Sequence, residues 1–558
     1  MNGRVSFRWQ LAATLVFAIV VTGALAAATR LATTAEACEH VLVASSQEKA
    51  TMLQGFAAAY DAGRPQVGGL CVTVSVEEVN SGDAELALAD GWTGSTRPQV
   101  WSPASTAWVR LLAGQAPAVA ARLIPTSFLA NPNNLFYSPL VIGMPEQMAT
   151  ALGYPATQIG WARILSLAQD PRGWADYGHP EWGKFKLGKT NPTISTSGLH
   201  ALIGAYYAAP GGSDLTVPTV DSAPVKAFVR EIEASVVHYG QTATDFLQNL
   251  RYKDDQGGDA PLRYISAIAV EEQELADYNA GLVAGIQHSP PHVKLVAIYP
   301  SGGTPVADHP YVVLGWSTEG QKAAARDFEN FIGQQTNTIE ARHFRVDYAP
   351  TAALNRLVYP YAQLPALVAL QPPDGDVLRT MIEGWKQVRK AARVLILIDA
   401  AVAPGALTDA TRNLAGAASG FGSQDKVGVW TFPSSGSQPA SHTVLRAVTA
   451  NAGSLGGTLA GVKPVKGTSD LASALDDAVT QMVANYDPTA INAVVVLELS
   501  PGKQAADTGF LATEAPFVRV FTVGPTSDLL KNIAVAADGT FYEPGAASHF
   551  LNDAISNF

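Results

Sequence analysis

Phe185–Tyr207, FKLGKTNPTISTSGLHALIGAYY, runs from a polar, glycine-punctuated loop straight into an apolar helix. Asn191, Thr193, Ser195, Thr196 and Ser197 crowd amides and hydroxyls just before that helix begins. Ser197 is a suitable N-cap, and Gly198 permits close approach to the first turn. The free N–H groups of such a turn point back into the loop and favour an anion or a polar oxygen. This is chemistry for holding a solute rather than transforming one. An ordinary capped helix is the plainer reading of the same residues.

Upstream, strands and helices alternate. VLVAS (41–45), CVTVSV (71–76) and PQVWSP (98–103) read as strands. Gln47–Tyr60 reads as a helix with Met52, Leu53 and Phe56 on one face, and Ser105–Ala113 begins another. The organisation is α/β, in which ligands lie beyond the C-terminal ends of strands, where the next helix starts. Ser45 and Ser46 occupy that place after the first strand, and Trp101, Ser102, Ser105 and Thr106 after a later one. With the loop around Ser195–Ser197 they make three hydroxyl-bearing strand-to-helix junctions. His179 and His200 are isolated, and the aromatic residues Trp161, Trp174, Tyr177, Trp182 and Phe185 read as packing rather than as a stacking platform.

Apolar residues make up 47% of the chain and charged residues 15%, and the net charge is −11. No Lys/Arg block is present, which argues against a nucleic-acid partner. An anionic ligand would be held by local dipoles, not steered in by the whole molecule. The cysteines are Cys38 and Cys71, and both adjoin strand-like segments. Neighbouring strands would bring the sulfurs together, and a disulfide over that separation is worth about 3–4 kcal/mol; two buried thiols are the alternative. At the N-terminus, Leu11–Thr29 is uncharged, with Arg4 and Arg8 before it and Arg30 after it. As a helix it would rise roughly 28 Å, about the hydrocarbon thickness of a bilayer. The charge asymmetry then predicts a single-pass cell-membrane protein, anchored by one N-terminal helix, with the bulk of the chain extracellular. A signal peptide cleaved near Ala35-Glu36-Ala37, giving a secreted protein, competes with that reading.

The segments PQVWSPASTAWVRLL (98–112), SPLVIGMPEQMATALGYP (138–155), the long run 160–202 that contains NPTISTSGL, YISAIAVEEQELADYN (264–279) and VKLVAIYPSGGTPVADHPYVVL (293–314) carry a resemblance. The region from Cys38 to about Arg345 resembles a two-lobed extracellular solute-binding protein of the type 2 periplasmic-binding kind. It is closest to the type fused to a von Willebrand factor A domain in actinobacterial envelope proteins. The resemblance implies residues 1–37 as tail, anchor or signal segment and short linker. It implies a first lobe of about 38–139 and 296–345, a hinge near Ser138–Leu140, and a second lobe of about 140–295. The solute would lie between the lobes. Ser45, Ser46, Ser102 and Thr106 would form one wall, and Thr193, Ser195, Thr196 and Ser197 the other. Glu271, with Glu272, follows the strand-like YISAIAV and would line the same cleft, unless the pair is an exposed helix start. A carboxylate there suits an amine or sugar hydroxyls better than an oxyanion, so the class of the small polar solute stays open.

Prolines at 350, 360, 365, 372 and 373 punctuate a joining stretch, taken as 346–389. Beyond it, ARVLILID (392–399), DKVGVWTF (425–432), NAVVVLEL (492–499) and FVRVFTVG (517–524) read as buried strands and Asp470–Asn485 as a helix, a doubly wound α/β pattern. Residues 390–558 resemble a von Willebrand factor A domain with a degenerate metal-ion-dependent adhesion site. Asp399 is in place, but alanines stand at 401 and 403 where the family has serines. Alanine methyls cannot supply the oxygen ligands that Mg²⁺ requires. Asp399 and Thr468 remain as remnants, so no metal and no cofactor are expected. Catalysis is not expected either, since no G-x-S-x-G elbow, HExxH or lysine-bearing phosphate loop occurs. The sequence therefore predicts a non-enzymatic, envelope-anchored binding protein whose A-type domain contacts an envelope protein without metal. The competing reading is a structural or adhesion protein whose cleft binds nothing.

Overall fold

The computed structural model describes residues 38–542, apart from 94–95, 213, 362–365, 418–420, 436–440, 468–469, 501–508, 515–517, 538 and 540. No helix among the described residues is long and apolar enough to cross a membrane. The expectation of a transmembrane helix, a membrane partner and a single-pass cell-membrane location is corrected accordingly; Leu11–Thr29 itself lies outside the described residues.

In the first lobe, β1 (Glu39–Ser45) leads into α1 (Gln47–Ala62), β2 (Leu70–Glu78), α2 (Ser81–Ala89), β3 (Val100–Ser102) and α3 (Thr106–Gln115). Val41, Leu42, Val43 and Ala44 of β1 are all buried, the continuous apolar run of a strand covered on both faces. Met52, Leu53, Phe56 and Tyr60 form the buried stripe of α1. β1 pairs in parallel with β2 and β3. Cys38 and Cys71 are joined by a disulfide at the start of the β1–β2 ladder.

The second lobe contains β4 (Ser138–Pro145), β5 (Leu187–Thr190), α4 (Thr196–Ala208), α5 (Ala223–Ser235), β6 (Val236–Gly240), α6 (Ala243–Asp255), β7 (Ala267–Glu271), α7 (Glu272–Ala280), β8 (Leu295–Ile298) and β9 (Thr304–Ala307). Fully buried β4 pairs antiparallel with β7, β8 and β9, and β5 runs parallel to β6 and β7. The chain then returns to the first lobe, where β10 (Val312–Val313) pairs with β3 and α8 (Glu319–Gly333) packs on β1. The first sheet runs β10-β3-β1-β2, with the short strand Gln66–Val67 at its edge. Because β8 and β9 belong to the second sheet, the return crossing falls after Ala307 and not near 296. Bridges between Asn134 and Pro310 and between Tyr137 and Arg345 tie the two crossings together.

The proline-punctuated stretch is not a loose tether. It forms α9 (Ala352–Val358), β11 (Ala369–Leu370) and α10 (Gly375–Val388). β11 extends the second sheet beside β9. α10 touches both lobes. A Cβ on Gly114 of α3 would lie 2.3 Å from the carbonyl carbon of Gly375, so the two helices meet backbone to backbone. At its other end Trp385 donates to Glu233 of α5 at 3.1 Å. Leu378, Met381, Ile382 and Trp385 are buried in the same core as α3, α4 and α5.

A third sheet follows, made of β12 (Ala392–Asp399), β13 (Lys426–Phe432), β14 (Thr443–Arg446), β15 (Ile491–Leu497), β16 (Arg519–Val523) and β17 (Phe541–Tyr542), in the order β14-β13-β12-β15-β16-β17. Among these strands β14 is antiparallel to its neighbour and the other pairings are parallel. Val394, Ile396 and Ile398 enter one core, and Leu395 and Leu397 the other; a strand with helices on both faces requires this two-residue alternation. At the sheet's lower edge Asp425, fully buried, takes Arg389 at 2.6 Å and the backbone N–H of Ala392 at 2.7 Å.

Candidate functional site

Five helices begin at the place where the lobes meet: α1 with N-cap Ser46, α2 with N-cap Asn80, α4 with N-cap Ser195, α6 with N-cap Thr242 and α7 with N-cap Glu271. The cap of α4 is Ser195, two residues earlier than the sequence suggests, because the backbone is already helical at Thr196. Gly198 thus sits inside the first turn, where a Cβ would lie 2.4 Å from the Thr190 carbonyl oxygen. The space between them is about 20 Å³, with Ser46, Glu48, Ser81, Ser195, Thr196, Ser197, Glu271 and Glu274 among its lining. That is about room for one water. It adjoins a chamber of about 170 Å³ that shares Gln47, Glu48 and Glu274 and adds Glu78, Thr244, Leu247, Asp277, Leu282, Val283 and Arg342.

The hydroxyls singled out in the sequence divide into two groups. Ser46, Ser195, Thr196 and Ser197 line the space, and Glu271 does so with them. Thr190 donates to Ser195 Oγ at 2.9 Å, and Trp108 Nε1 donates across the lobes to Thr196 at 2.8 Å. Ser197 accepts from the Glu271 N–H at 3.2 Å and donates to Glu274 at 3.3 Å. The others turn elsewhere. Ser45 donates to the carbonyl of Ser46 at 3.2 Å, and Ser102 to that of Pro310 at 2.9 Å. The Thr106 N–H and hydroxyl both donate to Asp308, at 2.7 and 2.6 Å, fastening the first lobe to the returning chain. Thr193 donates to Asn191 within its own loop. The aromatic cluster is lobe packing: Trp174 stacks on Phe185, meets Trp182 edge-on and donates to Ser266.

Glu48 and Glu274 also line the space. Glu274 stands three residues after Glu271, on the same helix face, which is a spacing visible in the sequence. Glu48, in the first turn of α1, has no comparable sequence mark. Of the adjacent pair, Glu271 faces the cleft, whereas Glu272 takes Arg345 through two bonds of 2.6 and 2.7 Å behind it.

Charge within the site is uneven. Burial opposes ionisation of Glu48, but Lys49 at 3.2 Å and His309 at 3.4 Å hold its carboxyl below the usual range. For Glu271 the same Lys49 charge is outweighed. Burial, and then the charges of Glu48 and Glu274, push it well above the carboxylate range. Its Oε2 accepts no hydrogen bond, and His309 Nε2 lies 3.6 Å away. Glu274 is pushed up to about 8, by burial first and by Glu48 second. Burial lowers His309 to about 4 and His200 to about 3, so both imidazoles are neutral at pH 7.

The lobes already touch. Gly82 N–H of α2 donates to the Ile194 carbonyl at 3.1 Å, and a Cβ on Gly82 would lie 2.0 Å from the Thr193 carbonyl oxygen. Gly82→Val is expected to hold the lobes apart there. The loss of stability should be about 1–3 kcal/mol, the ordinary range for overpacking, with a larger radius of gyration by small-angle scattering. An unchanged scattering profile would show that the contact does not set the lobe spacing.

At the C-terminal ends of β12 and β15, Asp399 is buried and accepts from the Ala401 N–H at 2.9 Å, and the Ser500 hydroxyl reaches both Asp399 and Glu498. Burial, then Asp399, raises Glu498 to about 8. Thr468 lies outside the described residues. Among the described residues no group of three or more His, Cys, Asp or Glu side chains could hold a metal ion.

Two sheets crossed twice by the chain, with polar side chains from both meeting between them, define a two-lobed solute-binding protein. Residues 41–345 match the family described as bacterial extracellular solute-binding protein, and the chain belongs to that family. The family is non-catalytic, in agreement with the reading of the chain as not an enzyme. Similar solved structures include the periplasmic binding protein AfuA from Actinobacillus pleuropneumoniae with exogenous fructose-6-phosphate bound (12% identity, 63% of this chain and 98% of that one, TM-score 0.40). They also include a periplasmic thiamin binding protein (12%, 63% and 96%, TM-score 0.40). A third is the Trichodesmium protein IdiA (FutA) in complex with iron and citrate (12%, 62% and 99%, TM-score 0.37). No curated protein matches the chain.

Proposed function

We propose that this protein captures a small polar solute between its lobes, with Ser46, Glu48, Ser195, Thr196, Ser197, Glu271 and Glu274 as the contact residues. The observation that carries this reading is the meeting of five helix N-termini, from both lobes, around one polar space. On this reading the first lobe comprises about 38–137 and 308–345, and the second 138–307. Ser45, Ser102, Thr106 and Thr193 then support the walls from behind. Native mass spectrometry of the protein as purified tests it. A co-purifying small molecule that is lost in Ser197→Trp is expected. If no molecule co-purifies and no sugar, amino acid, amine or oxyanion shifts the melting temperature, the cleft is a structural joint instead, as in the adhesion reading.

The third sheet we read as a von Willebrand factor A-like domain, about 390–558, that meets an envelope protein without metal. Its strand order and the place of Asp399 beside the switch point between β12 and β15 support this reading. The Ser500 hydroxyl occupies Asp399 where a cation would otherwise be needed. Millimolar Mg²⁺ or Mn²⁺ is expected to leave the melting temperature of the whole protein unchanged. A saturable rise would overturn the metal-free reading.

A further inference from the structure

We infer that the solute is an organic cation bearing a primary ammonium group, an inference that rests on the solute-binding reading above. Glu48, Glu78, Glu271, Glu274 and Asp277 line the two adjoining spaces, against the guanidinium of Arg342. Two other nearby basic side chains face carboxylates of the chain itself. Lys49 contacts Glu48 and Ser46, and His343 Nδ1 lies 2.6 Å from Asp277. Glu271, 2% exposed and lining the small space, keeps an oxygen with no hydrogen bond.

Converging helix N-termini would ordinarily mark an anion site. Here the chain's own carboxyls sit at three of those ends: Glu48 in the first turn of α1, Asp245 in that of α6, and Glu271 and Glu274 at the cap and first turn of α7, whereas the first turn of α4 holds none. They occupy the positions an incoming oxyanion would take at those ends, and Glu48, whose carboxyl is held below the usual range, also complements its helix dipole. An ammonium has three donors and no acceptor, and it would meet the hydroxyl oxygens of Ser46, Ser195 and Ser197 together with Glu271. The space of about 20 Å³ suits a headgroup of one heavy atom, and the adjoining 170 Å³, with Leu247, Leu282 and Val283 in its wall, suits an alkyl chain.

Protons follow from the same geometry. Glu48 and Lys49 from α1, His309 from the return crossing and Glu274 on its own helix surround Glu271; Glu48, Ser197, Thr244 and Asp277 surround Glu274. Asp245 and Glu78 add negative charge at the cleft, and Asp308 lies behind it. With Glu271 raised and Glu274 near 8 in the empty site, an ammonium must displace protons, so binding tightens as pH rises towards 8.

Titration calorimetry of the full-length protein tests this with primary alkylamines from methylamine to hexylamine and the matching diamines, beside sodium sulfate, glucose and magnesium chloride. At least one amine is expected to bind with proton release, and its affinity to fall about tenfold per pH unit below 8 for each proton displaced. Glu271→Gln and Glu274→Gln should each weaken it at least tenfold, and Glu274→Gln should flatten the pH dependence. Binding of sulfate, glucose or magnesium with every amine silent overturns the cation assignment while leaving the solute-binding reading intact. So does an amine affinity unchanged in both variants. Silence of all probes, with no co-purifying molecule, overturns both.

Discussion

Arg345→Ala is expected to lower the unfolding free energy by about 3–5 kcal/mol, the usual cost of removing one partner from a buried ion pair. Arg345 is 2% exposed and Glu272 is fully buried. The guanidinium forks onto both carboxylate oxygens, at 2.7 and 2.6 Å, and also donates to the Tyr348 carbonyl and Tyr299. Removing it leaves the buried Glu272 carboxyl without a cation and with only the one hydrogen bond that Tyr299 can donate. Arg345 follows the return crossing, and Glu272 begins α7, so the pair also fixes the orientation of Glu271, the neighbouring cleft residue. Urea unfolding followed by tryptophan fluorescence measures the effect. Replacing both partners with apolar residues of similar size should recover most of the loss, since a matched apolar pair leaves no orphaned charge. A loss below about 1 kcal/mol would mean that water reaches the pair.

Trp385→Ala should cost a similar amount, about 3–5 kcal/mol. The indole is 5% exposed, and its N–H is shared between Glu233 at 3.1 Å and Tyr239 at 3.3 Å. Glu233 and Lys189 form an ion pair in which both side chains are fully buried. The substitution therefore opens a cavity and removes a donor from a buried carboxylate at once. Trp385→Phe keeps most of the packing and loses the donor, so about 1–3 kcal/mol is expected. If residues 346–389 were a tether between two independent bodies, Trp385→Ala would fall within about 0.5 kcal/mol of wild type, as surface changes do. Chemical unfolding of the two variants side by side separates these cases.

Which elements could be read in the sequence follows from how local their causes are. VLILID announces itself because a strand covered on both faces must be apolar at every position, and the two cores then take its alternate residues. The loop at 191–198 is legible because helix starts need hydroxyls and a close backbone approach needs glycine. Ser102 and Thr106 look the same in sequence as Ser46. What distinguishes them is Pro310 and Asp308, some two hundred residues later, which take their hydrogen bonds. The packing of α10 was hidden for a different reason. Its apolar stripe is plain, but the surface it covers is assembled from α3 and α5, which are distant in the chain. Glu48 and Glu274 come together only once the lobes meet, and no single window of sequence contains that meeting.

The helix α10 has a consequence for affinity. A receptor whose binding-competent form is rarely populated loses affinity in proportion to that rarity. Here, parting the lobes means peeling α10 from α3 or from α5, and so exposing Leu378, Met381, Ile382 or Trp385 to water. The burial of these side chains thus favours the shut arrangement of the lobes. Release of a solute, conversely, must wait for a helix to let go.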